Sequence, residues 1–246
     1  MKRRLSLLTI ALMSTPVAAG DYLSVGLGAI YSPSPYKGMS TQITPFPSVV
    51  YIGKNIRFEG TTASYSFNGV NAPVELLAKV GLDSRIMKPS DSDNADIKKI
   101  DKRKPAFIGG IAVRTNMRAA FFEAGVGTDL SGTHGGQYAE AKLGFNINRG
   151  PIGITPEIGY HINTARIHNH LYGVSASEAS RTNFDEFKMG MQGQYFIGLS
   201  SYMYFSKNIS LISNLRYVNL RGEIKNSPIL KETNTLSGLI GVNYSF

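Results

Sequence analysis

Apolar and polar residues alternate with a period of two along much of this chain, the pattern of β-strands with two different faces. Near the carboxyl end Leu236, Ile240, Val242, Tyr244 and Phe246 form one row, and Thr235, Ser237, Gly241, Asn243 and Ser245 the other. Between 139 and 148, Ala139, Ala141, Leu143, Phe145 and Ile147 are apolar, while Glu140, Lys142, Gly144, Asn146 and Asn148 fill the gaps. Ile152, Ile154, Ile158, Tyr160 and Ile162 oppose Gly153, Thr155, Glu157, His161 and Asn163. Ala120 to Gly127, Val74 to Asp83 and Ile209 to Tyr217 behave alike.

Successive side chains of a strand face opposite sides, so one row meets lipid and the other a polar lumen if the strands close into a membrane barrel. The last six residues, ending on Tyr244 and Phe246, resemble the closing strand of a bacterial outer-membrane β-barrel. Connections support the same architecture. Gly53-Lys54-Asn55, Asn68-Gly69, Thr115-Asn116-Met117, Asn148-Arg149-Gly150-Pro151 and Ser206-Lys207-Asn208 are short and rich in turn formers. Ser32 to Thr44, Arg85 to Lys104, Thr128 to Gly136, Thr164 to Gly193 and Gly222 to Asn234 are long. Alternating short and long connections correspond to periplasmic turns and external loops. With both termini periplasmic the strand number is even. Eleven segments are evident, and splitting Asn55 to Asn68 near Gly60-Thr61-Thr62 makes about twelve, with ten as the alternative count. The expected fold is therefore an all-β transmembrane antiparallel barrel, with Tyr31, Tyr51, Tyr160, Phe205, Tyr217 and Tyr244 suited to interfacial girdles.

Composition changes the picture at one end only. Lys2, Arg3 and Arg4 precede a short apolar stretch from Leu5 to Val17, and Val17-Ala18-Ala19 offers small residues for cleavage before Gly20. This reads as a signal peptide over 1–19, with the barrel over 20–246. The stretch is shorter than the ~20 apolar residues of a spanning helix. Cysteine is absent, which excludes thiol chemistry, a disulfide requirement and a lipoprotein anchor. The hydrophobic fraction is 42% and mean hydropathy −0.09, values that alternating strands produce because the two rows cancel. Formal net charge is +9, and removing Lys2, Arg3 and Arg4 leaves +6. That suits contact with outer-membrane lipid and lipopolysaccharide, and no basic cluster with interleaved aromatics points to nucleic acid.

The inward rows carry Glu59, Glu75, Glu123, Glu140 and Glu157 against Arg57, Lys79, Arg114, Lys142 and Arg216. A barrel of about twelve strands is narrow, between filled eight-stranded and open sixteen-stranded cases. Opposite charges confined there should pair, because an unpaired buried charge is costly. The expectation is an ion-paired, largely filled lumen.

Nothing in the sequence assembles a catalytic centre. His134, His161, His168 and His170 match no specific metal motif, and the loop histidines read as surface residues. No Gly-x-Ser-x-Gly elbow exists. Gly26-Leu27-Gly28 and Gly125-Val126-Gly127 lie inside strands with no following helix, so they are not phosphate loops. Asp91 to Asp96 lacks the spacing and glycine of a calcium loop and reads as a solvated tip. No cofactor or metal is assigned, and the chain is read as non-enzymatic.

Several loop segments together resemble the MipA/OmpV family, the MltA-interacting protein family of outer-membrane proteins. They are Ser34-Pro35-Tyr36-Lys37-Gly38; Asp101-Lys102-Arg103; Leu171-Tyr172-Gly173-Val174-Ser175 with Glu178-Ala179; and Asn226-Ser227-Pro228-Ile229, with Phe246 at the end. The resemblance implies a barrel without known catalytic residues. It also implies a scaffold linking a lytic murein transglycosylase to a murein synthase, as its name-giving member does. The matched positions, Pro35, Tyr36, Gly38, Asp101, Arg103, Tyr172, Gly173, Val174, Glu178, Ser227 and Pro228, are read as structural, with Gly173 and Pro228 shaping backbone and Tyr172 anchoring a folded loop. The alternatives are a narrow channel or transporter for small solutes, and a surface adhesin.

Overall fold

The computed structural model describes residues 21–246. The expected signal peptide lies outside the described residues. Strands run β1 (Tyr22–Ser32), β2 (Gln42–Ile52), β3 (Ile56–Glu59), β4 (Thr62–Ser66), β5 (Val74–Asp83), β6 (Ala106–Asn116) and β7 (Ala120–Asp129). They continue as β8 (Gln137–Phe145, resuming at Ile147–Arg149), β9 (Ile152–Asn163), β10 (Gln192–Tyr204), β11 (Ile209–Asn219) and β12 (Asn234–Ser245). Each pairs antiparallel with its sequence neighbour, and β12 returns to β1 from Ser24↔Ser245 to Tyr31↔Gly238. The result is a closed twelve-stranded barrel.

The split near Gly60 supplies the twelfth strand. Gly60 has φ +63, a conformation glycine adopts without penalty, and it turns the chain from β3 into β4. The strand β6 extends through Asn116, so its turn begins at Met117 rather than Thr115.

The two rows separate as alternation requires. In β12 and at Phe246 just past its end, Val242, Tyr244 and Phe246 are 51%, 48% and 68% exposed, whereas Asn243 and Ser245 are 1% and 5% exposed. Apolar side chains therefore line the outside of the wall, where hydrocarbon replaces water. No helix among the described residues is long and apolar enough to cross a membrane.

The main hydrophobic core is not inside the barrel. It lies among the long connections, which fold together over the outer mouth as a cap. Segment 33–41 contributes Tyr36; 84–105 contributes Met87, Ile97 and Ile100; 164–191 contributes Ile167, Leu171, Tyr172, Val174 and Met189; and 220–233 contributes Leu220, Ile224, Ile229 and Leu230. Two short helices, α1 (Ala165–Tyr172) and α2 (Ala176–Ala179), lie in the third segment, and α1 carries its Ile167, Leu171 and Tyr172. In α1, Ile167 and Leu171 stand four residues apart and so share a face, which they bury to 1% and 2% exposure. Bridges Tyr36↔Leu230, Met39↔Ser92, Met87↔Arg103 and Val174↔Phe187 tie the segments. The segment around Asp91 to Asp96 is thus no free tip. Asp91 and Asp93 are exposed, but Asp96 accepts from Asn183 Nδ2 at 3.0 Å, and Ser92 and Ile97 between and beside them are buried.

Candidate functional site

Three places on this frame gather side chains that can act: the lumen, the cap and the periplasmic rim.

In the lumen, Glu123 of β7 is the hub. Its Oε1 lies 2.6 Å from Lys79 Nζ and 3.9 Å from Lys142 Nζ, and its Oε2 3.3 Å from Arg114 Nη1. Lys142 also reaches Glu157 at 3.7 Å. Arg216 meets Glu140 at 2.8 Å across the bore. Arg57 approaches Glu75 at 3.9 Å, and Asn116 Nδ2 donates to the same Glu75 oxygen at 2.8 Å. Aromatic rings support two of the cations: the Arg114 guanidinium lies 3.7 Å from the Phe121 ring centroid, and that of Arg216 3.6 Å from Phe196. Glu59 is exposed at the end of β3 and makes no ion pair among the described residues. Beside the hub a cavity of about 30 Å³, bordered by Lys79, Glu123, Tyr138 and Glu140, remains. Such a volume holds roughly one water.

In the cap, residues far apart in sequence meet. Arg103 Nη1 lies 2.8 Å from Glu178 Oε1, and its Nη2 donates to Gly173 O at 2.8 Å. Glu178 closes a capping box on α2, accepting from Ser175 N at 2.8 Å while Ser175 Oγ accepts from Glu178 N at 3.2 Å. The same carboxylate accepts from Asp101 N at 2.9 Å. Tyr36 Oη donates to Leu171 O at 2.9 Å, and Ser227 Oγ to Tyr172 O at 2.6 Å. Pro35 O accepts from Lys231 N at 2.8 Å, just beyond Pro228. Gly38 has φ +67, and a Cβ there would stand 2.5 Å from Asn94 N. A Cβ on Gly173 would stand 2.6 Å from Asn169 O. The segments from Pro35, Asp101, Tyr172 and Ser227 thus form one hydrogen-bonded unit.

The histidines gather under this unit. His168 is fully buried, which overturns its reading as a surface loop residue; Nε2 donates to Gln192 O at 3.2 Å. His134 Nδ1 accepts from Gly136 N at 3.0 Å, so the ring is held neutral. His170 Nε2 pairs with Lys104 O at 3.2 Å, and the His134 and His170 centroids are 5.5 Å apart. His161, in the wall, meets Gln194 at 2.5 Å.

Burial pushes His134, His168 and His170 below the usual imidazole range, only partly opposed by Asp129 at His134 and by backbone carbonyls at the other two. Burial would raise Glu178, but Ser175 N, Asp101 N and Arg103 outweigh it and hold the carboxyl below its ordinary value. Both effects carry one sign. As pH falls, the opened cap takes up protons that the closed cap refuses, so closure weakens. The histidine contribution fades from about pH 6.5 downward and the Glu178 contribution from about pH 4.3 downward. Protection of amides in 164–191, taken relative to their intrinsic exchange rate at each pH, is expected to fall between pH 7 and pH 5 and again below pH 4, with the protection of strand amides unchanged.

The periplasmic rim is basic. Lys54, Arg118, Arg149 and Lys207 stand exposed at or beside four of the short turns. Tyr51 Oη there donates to Asp21 Oδ2 at 2.6 Å. Tyr244 and Phe246 pack edge to face at 5.3 Å on the outward side.

A closed apolar-jacketed wall, termini and short turns at one end, and a folded cap at the other define an outer-membrane β-barrel. A sequence profile of the family described as "MltA-interacting protein MipA" matches residues 25–246. The chain belongs to that family. It is 23% identical over 240 residues to "Putative outer membrane protein YiaT" of Escherichia coli (strain K12), covering 96% of this chain and 97% of that protein. It is 25% identical over 225 residues to "MltA-interacting protein" of the same strain, covering 91% and 90%. Among solved structures, the "Translocator domain of autotransporter NalP from Neisseria meningitidis" aligns with 94% of this chain and 90% of that one, at 11% identity and a TM-score of 0.46.

Proposed function

We propose that this barrel is a non-enzymatic scaffold of the cell envelope that receives a murein transglycosylase, and through it a murein synthase, at its periplasmic rim. The observation that carries the reading is the relative named MltA-interacting protein, matched over 91% of this chain. The exposed cations Lys54, Arg118, Arg149 and Lys207 supply a surface for an acidic partner. Charge at a rim governs encounter rate and falls with salt. A lumen crossed by ion pairs favours this reading over a small-solute channel, and the loops of the cap, tied to one another, favour it over an adhesin with free loops.

Photo-crosslinking residues introduced at the exposed neighbours Met117 and Asn148 in intact cells test it. Adducts with a murein transglycosylase are expected, and replacing all four rim cations by glutamate should cut their yield about tenfold by removing the electrostatic steering. Recovery of lipid adducts alone would remove the scaffold reading.

A further inference from the structure

The ring of strands closes, but its wall is low at one place. β3 and β4 have 4 and 5 residues, whereas their neighbours β2 and β5 have 11 and 10. The ladder between β2 and β3 covers only Val50 to Ile52. Above it, the part of β2 from Gln42 to Ser48 pairs with β1 on one side and has no strand on the other. Seven residues of bare edge extend about 24 Å at ~3.4 Å per residue. On the β5 side the ladder runs to the hairpin tip, where Leu82 N donates to Thr61 O at 3.1 Å. β2 and β5 are three strand spacings apart there, about 14 Å.

The outward row along this edge is apolar and exposed. Its outward residues Ile43 and Pro47 stand in transverse rows with Tyr31 and Leu27, and Ile43 and Leu27 are 70% and 78% exposed. Backbone polarity there is one-sided. Gly53 N donates to Ile56 O at 2.8 Å, so odd-numbered residues of β2 direct their backbone groups toward β3. The bare edge therefore offers the carbonyls of Ile43, Pro45 and Pro47 and only the N–H of Ile43. Prolines belong on strand edges, and an edge stripped of donors is a poor template for a partner strand. A second copy of the chain adding a strand is thus disfavoured. Bare carbonyls do not face lipid, although they are tolerated where they line a water-filled opening.

At the top of β5, beyond the gap and on the lumen side beneath the cap, stands a cation that lumen water reaches. Arg85 holds the Asp83 carboxylate through Nε at 2.8 Å and Nη2 at 2.5 Å, yet its side chain keeps 42% of its surface accessible. Its charge reaches the buried phenols of Tyr36 and Tyr172 beneath the cap.

We propose that the gap above the β3–β4 hairpin is a water-filled lateral opening that admits a lipid-like amphiphile from the outer leaflet, its anionic head engaging Arg85 and its acyl chain lying along Leu27 and Pro47. Water or a hydrated head satisfies the bare carbonyls, the guanidinium takes the charge, and the exposed apolar flank takes the chain.

The absence of cysteine makes a labelling test clean. Pro47→Cys is placed in the gap, and Ile111→Cys serves as the closed-wall control: Ile111 also faces outward, 66% exposed, but is laddered on both sides. In proteoliposomes a charged thiol reagent is expected to modify the Pro47→Cys protein at least about tenfold faster, since it reaches only wetted sites. Equal, slow rates would overturn the opening. If Pro47→Cys fails to fold, Ile43→Cys keeps both prolines and reads the same difference. Dodecyl phosphate and laurate, as phosphate and carboxylate heads, should each protect the cysteine. Dodecyl maltoside and inorganic phosphate should not, and Arg85→Gln should abolish protection. Protection by inorganic phosphate, or protection undiminished in Arg85→Gln, would overturn the amphiphile assignment.

Discussion

Replacing Glu178 by alanine is expected to open the cap while leaving the barrel closed. The carboxylate is 3% exposed and its partner Arg103 7% exposed, so the variant strands a cation in an apolar core. Removing one member of a buried pair costs about 3–5 kcal/mol. The capping box on α2 and the bond to Asp101 N are lost with it. Limited proteolysis should cut within 84–105 and 164–191 of the variant but not of the parent, while the heat-dependent gel shift of a folded barrel persists. Arg103→Ala should behave similarly, and the double variant should cost less than the sum, because the two residues act as one unit. Cleavage equal to the parent's would show that the cap stands without this pair.

Glu123→Gln should produce the largest loss in the wall. One carboxylate serves Lys79, Arg114 and Lys142, and only Lys142 has another anion, Glu157, in reach. Neutralising Glu123 leaves three cations facing one another in a confined, partly dry space. The expected cost is about 3–5 kcal/mol, read as a lower urea midpoint for the protein folded in liposomes. Converting Lys79 to Gln in the same chain should restore part of it by lowering the repulsion. An unchanged midpoint would mean that lumen water screens the cluster. Planar-bilayer recordings of the parent are expected to lack large stable openings.

The wall was largely legible, because the two rows of a strand obey different solvents. Outward rows such as Ile240, Val242 and Tyr244 had to be apolar, and inward charges had to occur in both signs. The twelfth strand hung on one residue, Gly60, where only a left-handed turn interrupts an otherwise continuous run. The cap was not legible as a core. Tyr36, Ile97, Leu171 and Ile229 come from four separate connections, and no periodicity links residues that meet only in space. Local signals nevertheless existed. Ser175 and Glu178 have the spacing of a capping box, and Ile167 and Leu171 that of a helix face. Pro45 and Pro47 announced a bare edge, since an interior strand cannot spare their amides. His168 carried no signal of its burial, because a lone imidazole in a polar stretch looks the same whether it faces water or Gln192 O.

The seam between β1 and β12 has a consequence for biogenesis. Ser24 sits against Ser245, and Phe246 N donates to Leu23 O at 3.2 Å. The first strand to emerge therefore waits, unsealed, for the last. Contacts this distant in sequence form slowly, and the interval exposes a sticky intermediate that needs escort through the periplasm. Because Tyr36 bridges to Leu230, the outer lid consolidates only after both margins have arrived, making the ring and its cover a single terminal event in maturation.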